Sequence, residues 1–146
     1  MILARHGDGY VLDDDPGRLD RDVLEQWLSH EAYWALGRTR KEIDASIAGS
    51  WPFGVFDNDA AMVGFARVIT DRVTFAWLCD VFVAASVRGR GVGTWMVAEV
   101  AAAVRATGVP RQVLATRDAH EVYATSGFTP LAAPERWMEI DTRPTR

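Results

Sequence analysis

The chain has 146 residues, 49% hydrophobic and 25% charged, with sixteen Lys and Arg against twenty Asp and Glu for a formal net charge of −4. That length is close to one domain and carries enough apolar sequence for a core without disulfide or metal staples, which argues against a disordered chain. The acidic balance disfavours nonspecific grip on nucleic acid or an anionic membrane, and the single cysteine, Cys79, rules out an intramolecular disulfide or a cysteine zinc cluster and fits a reducing cytoplasm.

The first fifteen residues lack the apolar run of a signal peptide. The longest apolar stretch, 92–104, is broken by Thr94 and Glu99 and is too short to span a bilayer. Residues 9–13 read as a first strand, ended by the turn chemistry of Asp14, Asp15, Pro16 and Gly17. Asp20 is a plausible N-cap for a helix with Val23, Leu24, Trp27 and Leu28 at helical spacing. After an aromatic connector holding Tyr33 and Trp34, Thr39 and Glu42 form a capping box for a second helix that Gly49 stops.

The period then changes. Residues 51–56 and 61–69 read as a hairpin around Asp57-Asn58-Asp59, and 73–83 as a long strand buried on both faces. A loop over 84–90 leads into a helix over 91–107, with Val92, Met96, Val100 and Val104 spaced by four. Residues 112–116 read as a strand and 119–126 as a short helix opened by Asp118, with Glu121 at the capping-box position. Strands over 128–131 and 137–140 complete the order β-αα-βββ-α-β-α-ββ. This is an α/β (α+β) chain with a mixed, mostly antiparallel sheet of six to seven strands, flanked by about four helices in a single domain over 1–146.

The stretch most informative about function is Arg88-Gly89-Arg90-Gly91-Val92-Gly93-Thr94, between a strand and a helix. Glycines bend the backbone tightly and let a ligand approach it. The unpaired amides of the first helical turn and the helix dipole form a receptor for pyrophosphate, with Arg88 and Arg90 at the rim. The spacing fails the dinucleotide fingerprint, and no Gly-Lys-Ser/Thr follows for a nucleotide-triphosphate loop. A flexible basic turn, or an Arg-Gly patch that binds RNA, remains the alternative on these residues alone.

Arg88-x-x-Gly91-x-Gly93 resembles the Arg/Gln-x-x-Gly-x-Gly/Ala signature of the GCN5-related N-acetyltransferase (GNAT) family, and Val81-Phe82-Val83 looks like that family's fourth strand. Ala119, Tyr123 four residues later, and Gly127-Phe128 are similar to its second hallmark. The resemblance covers roughly 51–140, and the two leading helices also fit. It departs at Thr116, where many members carry Asn, which puts a contact from that side chain in doubt.

The resemblance implies direct attack of a primary amine on acetyl-CoA in a ternary complex, without an acetyl-enzyme. Cys79 is then not needed as a nucleophile and reads as a packing residue. An amine with a pKa of about 10.4 must lose a proton, and the departing thiolate must be stabilised. Tyr123 matches the family's tyrosine and is the candidate general acid; the alternative is a packing tyrosine. Asp80, a carboxylate inside an apolar strand, is the candidate base, its pKa raised by burial; the alternatives are an ion pair with Arg67 or Arg117 and deprotonation through water.

The resemblance assigns the pantetheine arm to the main chain of Val81, Phe82 and Val83, in a slot where the sheet opens between strands four and five. It assigns the pyrophosphate to the amides of Arg88, Gly89, Arg90, Gly91, Val92, Gly93 and Thr94. Tyr33 and Trp34 fall where relatives line the acceptor pocket, with core packing as the alternative; Trp51 and Phe53 are further candidates. The acidic run Asp13, Asp14, Asp15, Asp20, Asp22 and Glu25 reads as a solvated face. His120 reads as a surface residue or a proton relay. The expectation is an acetyl-CoA-dependent N-acetyltransferase acting on a small-molecule amine in the cytoplasm, with no metal, nucleic acid or membrane partner, and with a homodimer left open. A protein lysine or N-terminal acetyltransferase and a non-catalytic CoA-binding sensor are the alternatives.

Overall fold

Turn chemistry folds the first two-thirds of the chain into consecutive antiparallel pairs. The computed structural model describes residues 1–144. Strands β1 (Ile2–Arg5), β2 (Val11–Asp13), β3 (Trp51–Phe56), β4 (Met62–Thr70) and β5 (Ala76–Val83) each pair antiparallel with the next, and β6 (Gln112–Val113) joins β5 in parallel. The result is a six-stranded sheet in sequence order. Helices α1 (Arg21–Glu25) and α2 (Arg40–Ala48) lie between β2 and β3, α3 (Val92–Ala106) crosses from β5 to β6, and α4 (His120–Ala124) follows β6.

Side chains alternate across a strand, so each face of the sheet builds its own core. On one face Leu12, Phe53, Val55 and Val68 pack with Val92, Met96, Val100 and Val104 of α3. On the other, Phe65 and Phe82 pack with Leu24, Trp27 and Leu28, and with Ile43 and Ile47 of α2. Local caps act as expected at two helices: Asp20 accepts from the amides of Asp22 and Val23, and Thr39 and Glu42 form the reciprocal capping box. After α1, residues Gln26–Glu31 widen into a π-helical turn, which delivers the chain to Tyr33 and Trp34.

Several expectations need correction. The first strand is preceded by another, β1, whose four residues are too short a signal by themselves and are fixed by pairing with β2. The Met1 ammonium also donates to the carboxylates of Asp13 and Asp14 at 2.8 and 3.0 Å. At the other end, 128–131 and 137–140 are not strands, and Met138 and Ile140 are 96% and 97% exposed. Pro130 and Pro134 remove main-chain donors there, and β6 offers only two residues to pair with. Asp118 does not cap α4: Ala119 occupies that position, and Thr116 Oγ1 accepts the Ala119 amide at 3.1 Å. The strand read as buried on both faces alternates instead, with Ala76, Leu78, Asp80 and Phe82 buried and the residues between them half-buried. No helix of the described residues is long and apolar enough to cross a membrane.

Candidate active site

The glycine turn follows directly from the end of β5. Gly89 and Gly91 have φ values of +78° and +77°, which side-chain-bearing residues adopt at a cost. A Cβ built on either would meet nothing within 4 Å, so the bend is open rather than filled by its own side chains. Gly91 is the N-cap of α3 and provides no side-chain hydrogen bond; the first helical hydrogen bond runs from the Trp95 N–H to the Gly91 carbonyl. The amides of Val92, Gly93 and Thr94 are left facing the turn. Gly93 lies against β5, where a Cβ would stand 3.2 Å from Val83 Cγ2. Arg88 donates from Nε to the Val83 carbonyl at 3.0 Å and its guanidinium sits 5.2 Å from the Phe82 ring centroid. Open space, uncapped amides and positive charge coincide here, which is what a pyrophosphate requires.

Beside the turn the sheet splits. β5 and β6 share register only at Ala76 with Gln112 and Trp77 with Val113, after which β5 runs on alone for six residues. A bulge sits where it does so: between Phe65–Phe82 and Arg67–Cys79, β4 advances two residues and β5 three. Asp80 occupies the bulge at φ +51°, a left-handed conformation uncommon for a non-glycine residue. Past the bulge, the Ala84 amide donates to the Val63 carbonyl, so Val83 in the Gly64–Val83 pair turns its own N–H and C=O away from β4, towards the slot. The groups of Phe82 face β4 instead. Of the strand residues assigned to the pantetheine arm, Val83 therefore turns its main chain to the slot, its carbonyl accepting from Arg88, whereas Phe82 turns its main chain to β4 and buries its ring against Trp27.

A cavity of about 430 Å³ opens between the diverging strands, lined by Asp80, Val81, Thr116 and Tyr123 together with Tyr33 and Trp34. The proposed acid, base and acceptor residues are thus brought to one chamber. The Tyr123 phenol is pushed up to about 12, chiefly by burial and further by Tyr33 and Asp118, so it holds its proton at neutral pH. Tyr33 and Trp34 stand edge to face at 5.0 Å between centroids, and Arg117 covers Tyr33 at 3.8 Å while its amide donates to the Tyr33 hydroxyl.

Asp80 is not an isolated carboxylate. Its side chain is 2% exposed, and Oδ2 accepts from Arg67 Nε at 2.6 Å and Arg38 Nη1 at 2.7 Å. Oδ1 accepts from Trp34 Nε1 at 2.9 Å. Burial acts to raise its pKa, but Arg67 and Arg38 outweigh it and hold the carboxyl below its ordinary value. The expected upward shift is reversed. Arg67 was legible as a partner; Arg38 was missed, since it sits 42 residues away in the connector before α2 and carries no motif.

Other candidates fall elsewhere. Trp51 and Phe53 pack against each other in the core, and Arg72 covers Trp51. The acidic run is spent locally: Asp13 pairs with Arg18, Asp20 caps α1, and Asp22 and Glu25 pair with Arg40. His120 lines an adjoining cavity against 112–116 and 128–131, which shares Ala115, Thr116 and Tyr123 with the chamber but not His120. Cys79 borders the chamber, but burial pushes its thiol up to about 11 despite the nearby arginines. Iodoacetamide at pH 7.5 is expected to alkylate it more than about 10-fold more slowly than an exposed thiol of pKa about 8.5; equal rates would show a reactive thiolate.

Comparison with known proteins places this geometry. Residues 18–128 match the model of the Acetyltransferase (GNAT) family. The chain is similar to "a putative acetyltransferase belonging to the gnat family" from Xanthomonas campestris pv. campestris, at 38% identity and a TM-score of 0.85 over 91% of this chain and 93% of that one. A structure from Deinococcus radiodurans R1, 14% identical with a TM-score of 0.71, covers 97% of this chain and 94% of its own and shares the fold. Among curated proteins, "Putative acetyltransferase FG08082" of Gibberella zeae is 27% identical over 106 residues, and the chain spans 60% of its length. The open glycine turn, the split sheet and the matching family model agree: the chain belongs to the GNAT acetyltransferase family.

Proposed function

We propose that the chain transfers an acetyl group from acetyl-CoA to the primary amine of a small molecule. The observation that carries this reading is the uncapped, side-chain-free turn at the start of α3, beside a split sheet whose chamber holds Tyr123. The amides of 92–94 and the charges of Arg88 and Arg90 would hold the pyrophosphate, and the main chain of Val83 would meet the pantetheine arm. Acetyl-CoA supplies an activated thioester carbonyl. Residues of the C-terminal segment, Glu139 and Arg143, border the chamber and narrow its approach, which favours a small acceptor over a protein surface.

In the reaction the C–N bond forms as the C–S bond breaks. The acceptor ammonium gives up two protons in becoming an amide; one reaches the leaving sulfur and the other solvent. Tyr123 keeps its proton through the neutral range and donates a hydrogen bond to the sulfur as charge develops there. Asp80, ionised and bonded to Arg38 and Arg67, serves better as their anchor than as a base, so the ammonium proton leaves through water. Tyr123→Phe is expected to lower turnover about 100-fold while changing acetyl-CoA affinity less than about twofold. Thiol release followed with a chromogenic reagent, alongside equilibrium binding, checks this. Unchanged turnover would remove the phenol from the chemistry, and tight acetyl-CoA binding without release for any amine would favour a sensor.

A further inference from the structure

At the floor of the chamber two guanidiniums, Arg38 and Arg67, share the one carboxylate of Asp80. Arg38 commits only Nη1 to Asp80, and Arg67 only Nε. A guanidinium has five N–H donors. Among the described residues neither arginine makes a further hydrogen bond, and neither has a sealed, unpartnered nitrogen, so the remaining donors open into the cavity. Over the whole lining, Arg38, Arg67 and Arg143 are matched by Asp80, Asp118 and Glu139, so what the floor offers is unused guanidinium donors rather than an excess of charge. Both arginines also line an adjoining groove of about 490 Å³ with Glu42, which is held by the Thr39 amide in its capping box, and with Arg143, which is paired with Asp141. Asp118, paired with Arg117 at 3.7 Å, also borders the chamber and acts on the Tyr123 phenol. Trp34, Ile69 and Trp77 add apolar faces to its wall.

From these unused, pre-oriented donors we infer that the acceptor is a primary amine that also carries an oxyanion, a carboxylate or phosphate group, selected by Arg38 and Arg67. The inference rests on the acetyl-transfer reading above and deepens it. The planar forks of two arginines, already oriented by Asp80, match two oxygens of such a group without further ordering. The amine then points to the Tyr123 end, where Asp118 favours its cationic form on arrival. The apolar walls accommodate a hydrocarbon body joining the two.

Matched acceptors test this. 6-Aminohexanoate and 5-aminopentanoate differ from pentylamine and butylamine only by the carboxylate, and their aminophosphonic analogues replace it with a phosphate-like group. Thiol release gives kcat/KM, and quenching of the chain's tryptophans, with Trp34 and Trp77 in the chamber wall, gives affinity without requiring turnover. The anionic member of a pair is expected to exceed its uncharged-end counterpart by about 10-fold or more in both. Preference between carboxylate and phosphonate identifies which oxyanion is read. Arg38→Gln, which leaves Asp80 its bonds from Arg67 and Trp34, is expected to bring the pair within about threefold. Arg38→Lys should restore part of the difference, with acetyl-CoA affinity unchanged in both variants. No preference for the anionic member in either measurement, or a preference indifferent to Arg38, overturns the inference. Turnover of the plain amines would leave acetyl transfer standing without it; selective anion binding with no thiol release would keep the oxyanion site and overturn the transfer.

Discussion

Gly91→Glu is expected to weaken acetyl-CoA binding by about 100-fold or more, the largest effect of any single change in the turn. Gly91 sits at φ +77°, where a side chain costs about 1–2 kcal/mol of backbone strain. The new carboxylate would also face the pyrophosphate; two unit charges 4 Å apart repel by about 4 kcal/mol at an effective dielectric of 20. A part of that sum already exceeds the 2.8 kcal/mol, roughly, of a 100-fold change. Gly91→Ala separates the contributions, because its Cβ would meet nothing within 4 Å. It should cost stability but less than about 10-fold in affinity. Calorimetric titration of both variants checks the order, and equal, near-native affinities would take the turn out of the binding site.

Asp80→Ala is expected to destabilise the fold by about 3–5 kcal/mol, because it leaves Arg38 and Arg67 facing each other with the Trp34 N–H unpaired. For a chain of this size that corresponds to a fall in Tm on the order of 10 °C. Asp80→Asn keeps a residue that tolerates φ +51° and so isolates the charge from the backbone strain. The pH dependence distinguishes an anchor from a base. With the folded carboxyl below its unfolded pKa of about 3.9, its stabilisation is fully present above that value and is lost as pH falls through the folded one. The difference in Tm between wild type and variant should therefore be flat from pH 5 to 8 and shrink only in acid. A difference that varies near neutrality would mark Asp80 as a titrating group.

The open glycine turn and the place of the tyrosine were legible because each depends on local rules. Gly89 and Gly91 are required where the chain turns left-handed, and Tyr123 follows Ala119 at a fixed step within one short helix. The capping box of α2 and the 3.6-residue period of α3 are local in the same sense. The edges of the sheet were not. β1 exists because β2 pairs with it, whereas 137–140, with the same alternating look, finds no partner and stays exposed. A strand's donors are satisfied by another strand, so its existence is decided by a segment distant in sequence.

Asp80 shows the division within one residue. Sequence placed a carboxylate in an apolar strand and so established that it must be paired or neutral. Tertiary structure chose between these by bringing Arg38 across 42 residues and Arg67 across 13 to the same oxygen, and by bulging β5 so that the carboxylate could meet them. Local chemistry along the chain thus determined the turn, the helices and the tyrosine. The charge state of Asp80, the opening between β5 and β6, and the gathering of two guanidiniums on one carboxylate were decided only by the fold, because electrostatic energies depend on distances that the order of residues does not contain.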